Sequence, residues 1–186
     1  MDTFNPDLKR YREYLEGLLR EQSSKIIMNG GVEHAAVLMS TLFDNTKQEI
    51  LMYCRGLNPK LTNDESYFHS FSDYIEKGGK LSLMVETLEY SKISKTFSFL
   101  INQRNKFDNH NIEIKIITPE DKKEIFKVLK SDECNFSVFD DKMIRFEYDP
   151  TNYKALASFN YTDMAKYLST VFYDAYTNAS PFPADN

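Results

Sequence analysis

Apolar residues recur at helical spacing over residues 6–22, where Leu8, Tyr11, Leu15, Leu18 and Leu19 form one stripe. Arg10, Glu13, Arg20 and Glu21 lie on the opposite side. Pro6 suits a first helical turn, with Asn5 before it as cap. Residues 25–28 read as a short strand, and Asn29-Gly30-Gly31 as a turn into a second helix over 31–46. The stripe of that helix is Val32, Ala35, Ala36, Met39, Leu42 and Phe43. Glu49–Cys54 (EILMYC) is almost continuously apolar, the mark of a strand covered on both faces. A loop with Asn58-Pro59 precedes a third helix, which starts near Asn63 or Asp64 and runs to Lys77. Gly78-Gly79 ends it, and residues 81–85 form the next strand.

A fourth helix is predicted over 92–106, with Ile93, Phe97, Leu100 and Ile101 on its face. Residues 112–117 alternate as a strand does, and 119–130 read as a short helix. The texture then changes. Three strands follow in quick succession, at 136–139, 143–148 and 154–159, with Asp140-Asp141 as a tight turn between the first two. A last helix spans 161–176, and the end of the chain reads as loop. This order predicts an α/β fold: a mixed, mostly parallel central sheet with helices on both faces and a C-terminal β-meander. EILMYC and LSLMV should be its central strands. Residues 1–25 are expected to be an added amphipathic helix, 26–178 a single domain and 179–186 a tail.

Composition narrows the class. The 186 residues are 41% hydrophobic and 27% charged, with 6 Gly and 6 Pro, which describes one folded domain and excludes low-complexity chains. The formal net charge of −5 disfavours nucleic acid as a partner. Cys54 and Cys134 show no metal-ligand spacing and sit in apolar runs, so buried reduced thiols in a cytoplasmic protein are expected rather than a disulfide. No apolar run approaches the ~18 residues of a membrane span, and the first residues carry no secretory pattern. His34, His69 and His110 fall at no spacing that implies a metal or a triad, and no cofactor motif occurs. Gly30-Gly31 before a helix could cradle an anion, but a plain turn is the simpler reading.

One stretch stands out. Residues 133–160 read ECNFSVFDDKMIRFEYDPTNYKALASFN. This resembles the second half of a phospholipase D-like motif, in which HxKxxxxD on a hairpin is followed by GSxN. Asp140 matches the Asp, and Ala157-Ser158-Phe159-Asn160 matches GSxN, so Ser158 and Asn160 carry over. Counting back from Asp140, the His position is Glu133 and the Lys position is Asn135. The resemblance covers about 26–176.

The resemblance implies a phospholipase D-like fold, and the two departures imply a lost reaction. In that family the His forms a phosphohistidine, while the Lys and Asn bind phosphate oxygens. Glu133 cannot form that intermediate, and Asn135 brings no charge to the transition state. The five positions Glu133, Asn135, Asp140, Ser158 and Asn160 are therefore expected to be a degenerate site, open to ligand binding, with no catalytic residue, metal or cofactor. The family builds its active site from two half-motifs. A chain with one half implies a homodimer or a protein partner, and no membrane. The expected function is a non-catalytic binding, regulatory or accessory module of a bacterial or phage system. The alternative is a phosphodiesterase or nuclease with a rewired site, using Glu133, Asp140 and a metal.

Overall fold

The computed structural model describes residues 6–87, 94–106 and 110–183. Helix α1 (Pro6–Arg20) ends two residues before its predicted limit because Gln22 takes a left-handed φ of 48°. Its predicted cap, Asn5, lies outside the described residues. Strand β1 (Ile27–Asn29) leads through Gly31, at φ 86°, into α2 (Val32–Asp44). Strand β2 (Glu49–Cys54) is followed by a short helix absent from the sequence reading, α3 (Pro59–Thr62), with Asn58 accepting from the Lys60 N–H as its cap. Asp64 then caps α4 (Glu65–Glu76) by accepting from the Ser66 and Tyr67 N–H groups. After β3 (Lys80–Val85) come α5 (Lys95–Lys106), β4 (Ile112–Ile116) and α6 (Pro119–Leu129). The predicted start of the fourth helix, at 92–93, lies outside the described residues. Strands β5 (Asn135–Phe139), β6 (Met143–Asp149) and β7 (Lys154–Ser158) precede α7 (Thr162–Asn178) and β8 (Ser180–Pro181).

The eight strands form one sheet in the order β1-β7-β6-β5-β2-β3-β4-β8. The sheet is mixed, with β2 and β3 inside it, but the expectation of a mostly parallel sheet is corrected. Only β2–β3 and β3–β4 pair in parallel, while the other five pairings are antiparallel. The hairpins explain the difference. Asp140 and Asp141 both take positive φ (51° and 57°), so β5 turns straight back into β6, and this block joins β2 edge-on. The end of the chain is also more ordered than expected. Residues 180–181 pair with β4, and the Phe182 ring meets Phe97 edge-on at 5.5 Å.

Helices cover both faces. One face, with Ile50, Met52, Phe139, Met143 and Ala157, packs under residues of α1, α2, α4 and α5. The other, with Leu51, Phe136, Val138 and Ile144, packs under α6 and α7. Burial of each large apolar side chain contributes about 1.5–3 kcal/mol, so these two layers fix the strand register. That register decides which polar side chains share a face.

Candidate functional site

The sheet direction brings three chain segments together at one end. Strand β5 runs against β2, so its first residue, Asn135, lies near the carboxyl end of β2. Strand β6 runs against β5, so its last residues return to that same end. The loop after β2 and residues 150–153 complete a cleft of about 280 Å³ there. In open α/β sheets, ligand crevices form outside the carboxyl ends of strands.

The innermost polar residues come from alternate positions on neighbouring strands. Asn135 pairs with Glu147, and Ser137 with Arg145. Beyond them, β7 sets Ala155 and Ala157 opposite Glu147 and Arg145. Both alanines are fully buried, and their small side chains leave room beside the charged pair. Arg145 Nη2 donates to Glu147 Oε1 at 2.7 Å, with the two side chains only 7% and 5% exposed. Asn135 Nδ2 donates to Glu147 Oε2 at 2.5 Å, and the Arg55 N–H donates to Asn135 Oδ1 at 3.0 Å. Glu133 stands at the mouth, 3.5 Å from Arg55 Nη1. Arg145 Nε is buried without a hydrogen-bond partner among the described residues.

The aromatic and sulfur groups of the cleft are not poised for chemistry. Burial raises the Tyr67 phenol above its usual range, and Tyr53 is raised by burial and by its bond to Glu86 at 2.6 Å. Burial also pushes the Cys54 thiol up to about 12, with Glu86 and Glu147 adding to the shift. A thiol held neutral is a poor nucleophile. Cys134 is pushed up to about 12 in the same way, and both cysteines are buried and unpaired. Glu86 lies on the sheet's far side and also pairs with Lys122.

The five residues singled out from the sequence divide between two places. Glu133 and Asn135 line the cleft. Asp140 sits at the other end of β5, roughly 16 Å along the strand at ~3.3 Å per residue. There it accepts from the N–H groups of Lys47 (2.7 Å), Gln48 (2.7 Å) and Glu49 (3.1 Å). Ser158 and Asn160 are at that far end too, since Ser158 pairs with Ile144 and Ile144 with Val138. Ser158 is fully buried, and Asn160 Nδ2 donates to the Gln22 carbonyl at 3.0 Å. The strand that returns to Asn135 is β6. An extra strand, β7, carries Ala157-Ser158-Phe159-Asn160 away again, so the correspondence with GSxN holds in chain order and not in space.

Arg145 and Glu147 were missed from the sequence, although a signal existed. In MIRFEYD the two opposite charges stand two positions apart, hence on one face of the strand. The remaining candidates take structural places. Gly31 donates its N–H to the Asn152 carbonyl, so that amide is committed within the turn. His34 meets Tyr11 edge-on at 4.8 Å, and His69 stands 3.7 Å from Asp73 on the surface. Among the described residues no group of three or more His, Cys, Asp or Glu side chains could hold a metal ion, and no helix is long and apolar enough to cross a membrane.

No family model matches the sequence, and no curated protein matches it. The fold does have relatives among solved structures. TrmBL2, an archaeal chromatin protein described as showing a novel mode of DNA binding, superposes with a TM-score of 0.61 at 10% identity, over 95% of this chain. This chain spans 64% of its length. Nuc from Salmonella typhimurium, a phospholipase D family member, gives 0.55 at 10% identity, covering 85% of this chain and 99% of that one. NucT from Helicobacter pylori gives 0.56 at 10% identity with the same coverage. At this identity the likeness concerns the fold, which is that of phospholipase D-like structures.

Proposed function

We propose that this chain is a non-catalytic phospholipase D-like module that binds a small ligand in the cleft at the carboxyl end of β2 and acts as a regulatory or accessory protein. The observation that carries this reading is the closed arrangement at the cleft's inner end. Both oxygens of Glu147 are engaged, by Arg145 and by Asn135. A carboxylate so occupied is neither a free base nor a nucleophile. The family's His and Lys positions hold Glu133 and Asn135, which supply no phosphohistidine and no positive charge. The rewired phosphodiesterase loses support because Glu133 and Asp140 lie at opposite ends of β5 and cannot act on one substrate.

A second copy of the chain or a protein partner is the natural recipient of any signal. Tyr167 and Tyr173 stand exposed on α7 and are of the residue type enriched in interfaces. Nucleic acid is disfavoured by the net charge of −5. The test is hydrolysis of bis(p-nitrophenyl) phosphate by the purified chain, with EDTA and with added Mg²⁺ or Mn²⁺. No release of nitrophenolate above the buffer rate is expected. Turnover abolished by Glu133→Gln or Glu147→Gln would replace this reading with an enzymatic one.

A further inference from the structure

We infer that the cleft takes a small organic monocarboxylate, its carboxylate toward Arg145 and its apolar body against Met39, Met52, Leu57 and Leu61. This rests on the reading of the cleft as a binding site, and it follows from counting donors and acceptors. The carboxylate and amide oxygens of the inner cleft are already engaged within the protein: Glu147 Oε1 by Arg145, Glu147 Oε2 by Asn135, and Asn135 Oδ1 by the Arg55 N–H. The donors are not. Arg145 carries five N–H groups, and its hydrogen bond among the described residues is the one from Nη2 to Glu147. Its Nε is buried with no partner among the described residues, on a side chain only 7% exposed. Nη1 makes no hydrogen bond among the described residues and, unlike Nε, is not fully buried, so the Nη1 end of the guanidinium is the one open to a carboxylate in the cleft. Tyr67, which lines the same cleft and is kept protonated by burial, adds a hydroxyl donor. A site whose anionic oxygens are already engaged and whose cationic donors are left over selects a ligand that accepts.

Charge and shape narrow the class. Three cationic side chains line the cleft, Arg55, Lys60 and Arg145, against two carboxylates, Glu133 and Glu147. The cleft therefore carries one net positive charge in a chain whose net charge is −5. Lys60 is exposed at the rim and makes no ion pair among the described residues. One excess positive charge balances a monoanion. A phosphate near two negative charges would meet Glu147 within and Glu133 at the mouth. The aliphatic and thioether lining asks for an apolar body, and 280 Å³ is at the small end of ligand pockets, roughly 300–1,000 Å³.

The experiment titrates the whole chain with benzoate, with hexanoate, with the neutral isostere benzamide and with inorganic phosphate, followed by amide NMR shifts at low salt. At least one carboxylate should bind saturably with shifts around Arg145 and Leu57, and benzoate should bind at least tenfold more tightly than benzamide. Phosphate should bind at least tenfold more weakly than the better carboxylate. Arg145→Gln combined with Glu147→Gln keeps a neutral hydrogen-bonding pair and should bring benzoate within twofold of benzamide. Lys60→Met, at an exposed position, should weaken the carboxylate several-fold with the thermal melt unchanged. Equal binding of benzamide and benzoate, tighter binding of phosphate, or no saturable shift with either carboxylate at 20 mM would overturn the inference. Hydrolysis of a phosphodiester would instead overturn the non-catalytic reading, whatever the carboxylates did.

Discussion

Asn135 and Glu147 face one another across the β5–β6 pairing, and the Asn135 amide donates to the Glu147 carboxylate at 2.5 Å. That bond joins a residue singled out from the sequence to a carboxylate that was not. It ties the entrance of the cleft to the buried Arg145–Glu147 pair.

The pair itself gives a stability prediction. Removing one partner of a buried ion pair leaves an uncompensated charge, at a cost of about 3–5 kcal/mol, whereas replacing both by apolar residues is often neutral or stabilising. Arg145→Met alone and Glu147→Met alone should each lower the urea midpoint strongly. The double variant should recover most of the loss. Additive losses, measured by chemical unfolding, would show that the two side chains are not energetically coupled.

Asp140 is expected to matter for folding and not for the cleft. Its carboxylate caps three consecutive N–H groups at the start of β2, and its φ of 51° is unfavourable for most residues. Hydrogen bonds to charged groups contribute about 1.5–3 kcal/mol. Asp140→Ala should cost at least about 2 kcal/mol by urea unfolding. Asp140→Asn, which keeps an acceptor and tolerates left-handed φ, should cost less than half as much. Ligand shifts in the cleft should be the same in both.

Gly79 offers a sharper steric test. A Cβ there would stand less than 3.0 Å from Tyr74 Cζ and both Cε atoms. The Tyr74 ring cannot swing aside freely, since its hydroxyl donates to the Lys80 carbonyl at 2.8 Å. Overpacking of this kind costs about 1–3 kcal/mol. Gly79→Ala should lower stability by about that much in urea unfolding, and the same substitution in a Tyr74→Phe background, where no hydroxyl holds the ring, should cost less.

The thiols predict a pH dependence. Cys54 and Cys134 are raised from 9.0 to about 12 in the folded chain, and Tyr11 from 10.0 to about 12, burial being the first cause in each. A group held protonated by the fold adds stability that is fully present below its unfolded value and lost as pH rises through the folded one. Urea midpoints should hold steady up to pH 9 and fall from there toward pH 12. The decline should be shallower in the Cys54→Ala, Cys134→Ala double variant. A midpoint that stays level between pH 9 and 11 would contradict the burial of these groups.

Much of the fold was legible because it rests on local pattern. EILMYC and LSLMV announced covered strands, and they are β2 and β3 at the middle of the sheet. The hairpin at Asp140-Asp141 was legible from residue type. The balance of parallel and antiparallel pairing was not, because nothing in 136–159 states which edge a hairpin block will join. The brief pairing of Ser180 and Pro181 with β4 depends on α7 delivering them to that edge. For the site, counting along the chain found Glu133 and Asn135, yet it grouped them with Asp140, Ser158 and Asn160 as though one hairpin held all five. The legible signal was period two: Asn135 and Ser137, Arg145 and Glu147, and Ala155 and Ala157 all fall on one face.

Incubation of the purified chain with a labelled single-stranded DNA oligonucleotide, in EDTA and separately in Mg²⁺ and Mn²⁺, is the decisive measurement, because it asks whether the cleft cleaves a phosphodiester. An intact oligonucleotide is expected in all three conditions over hours at micromolar protein. Cleavage that persists through purification and disappears in the Arg145→Gln, Glu147→Gln variant would show that the cleft is an active site after all.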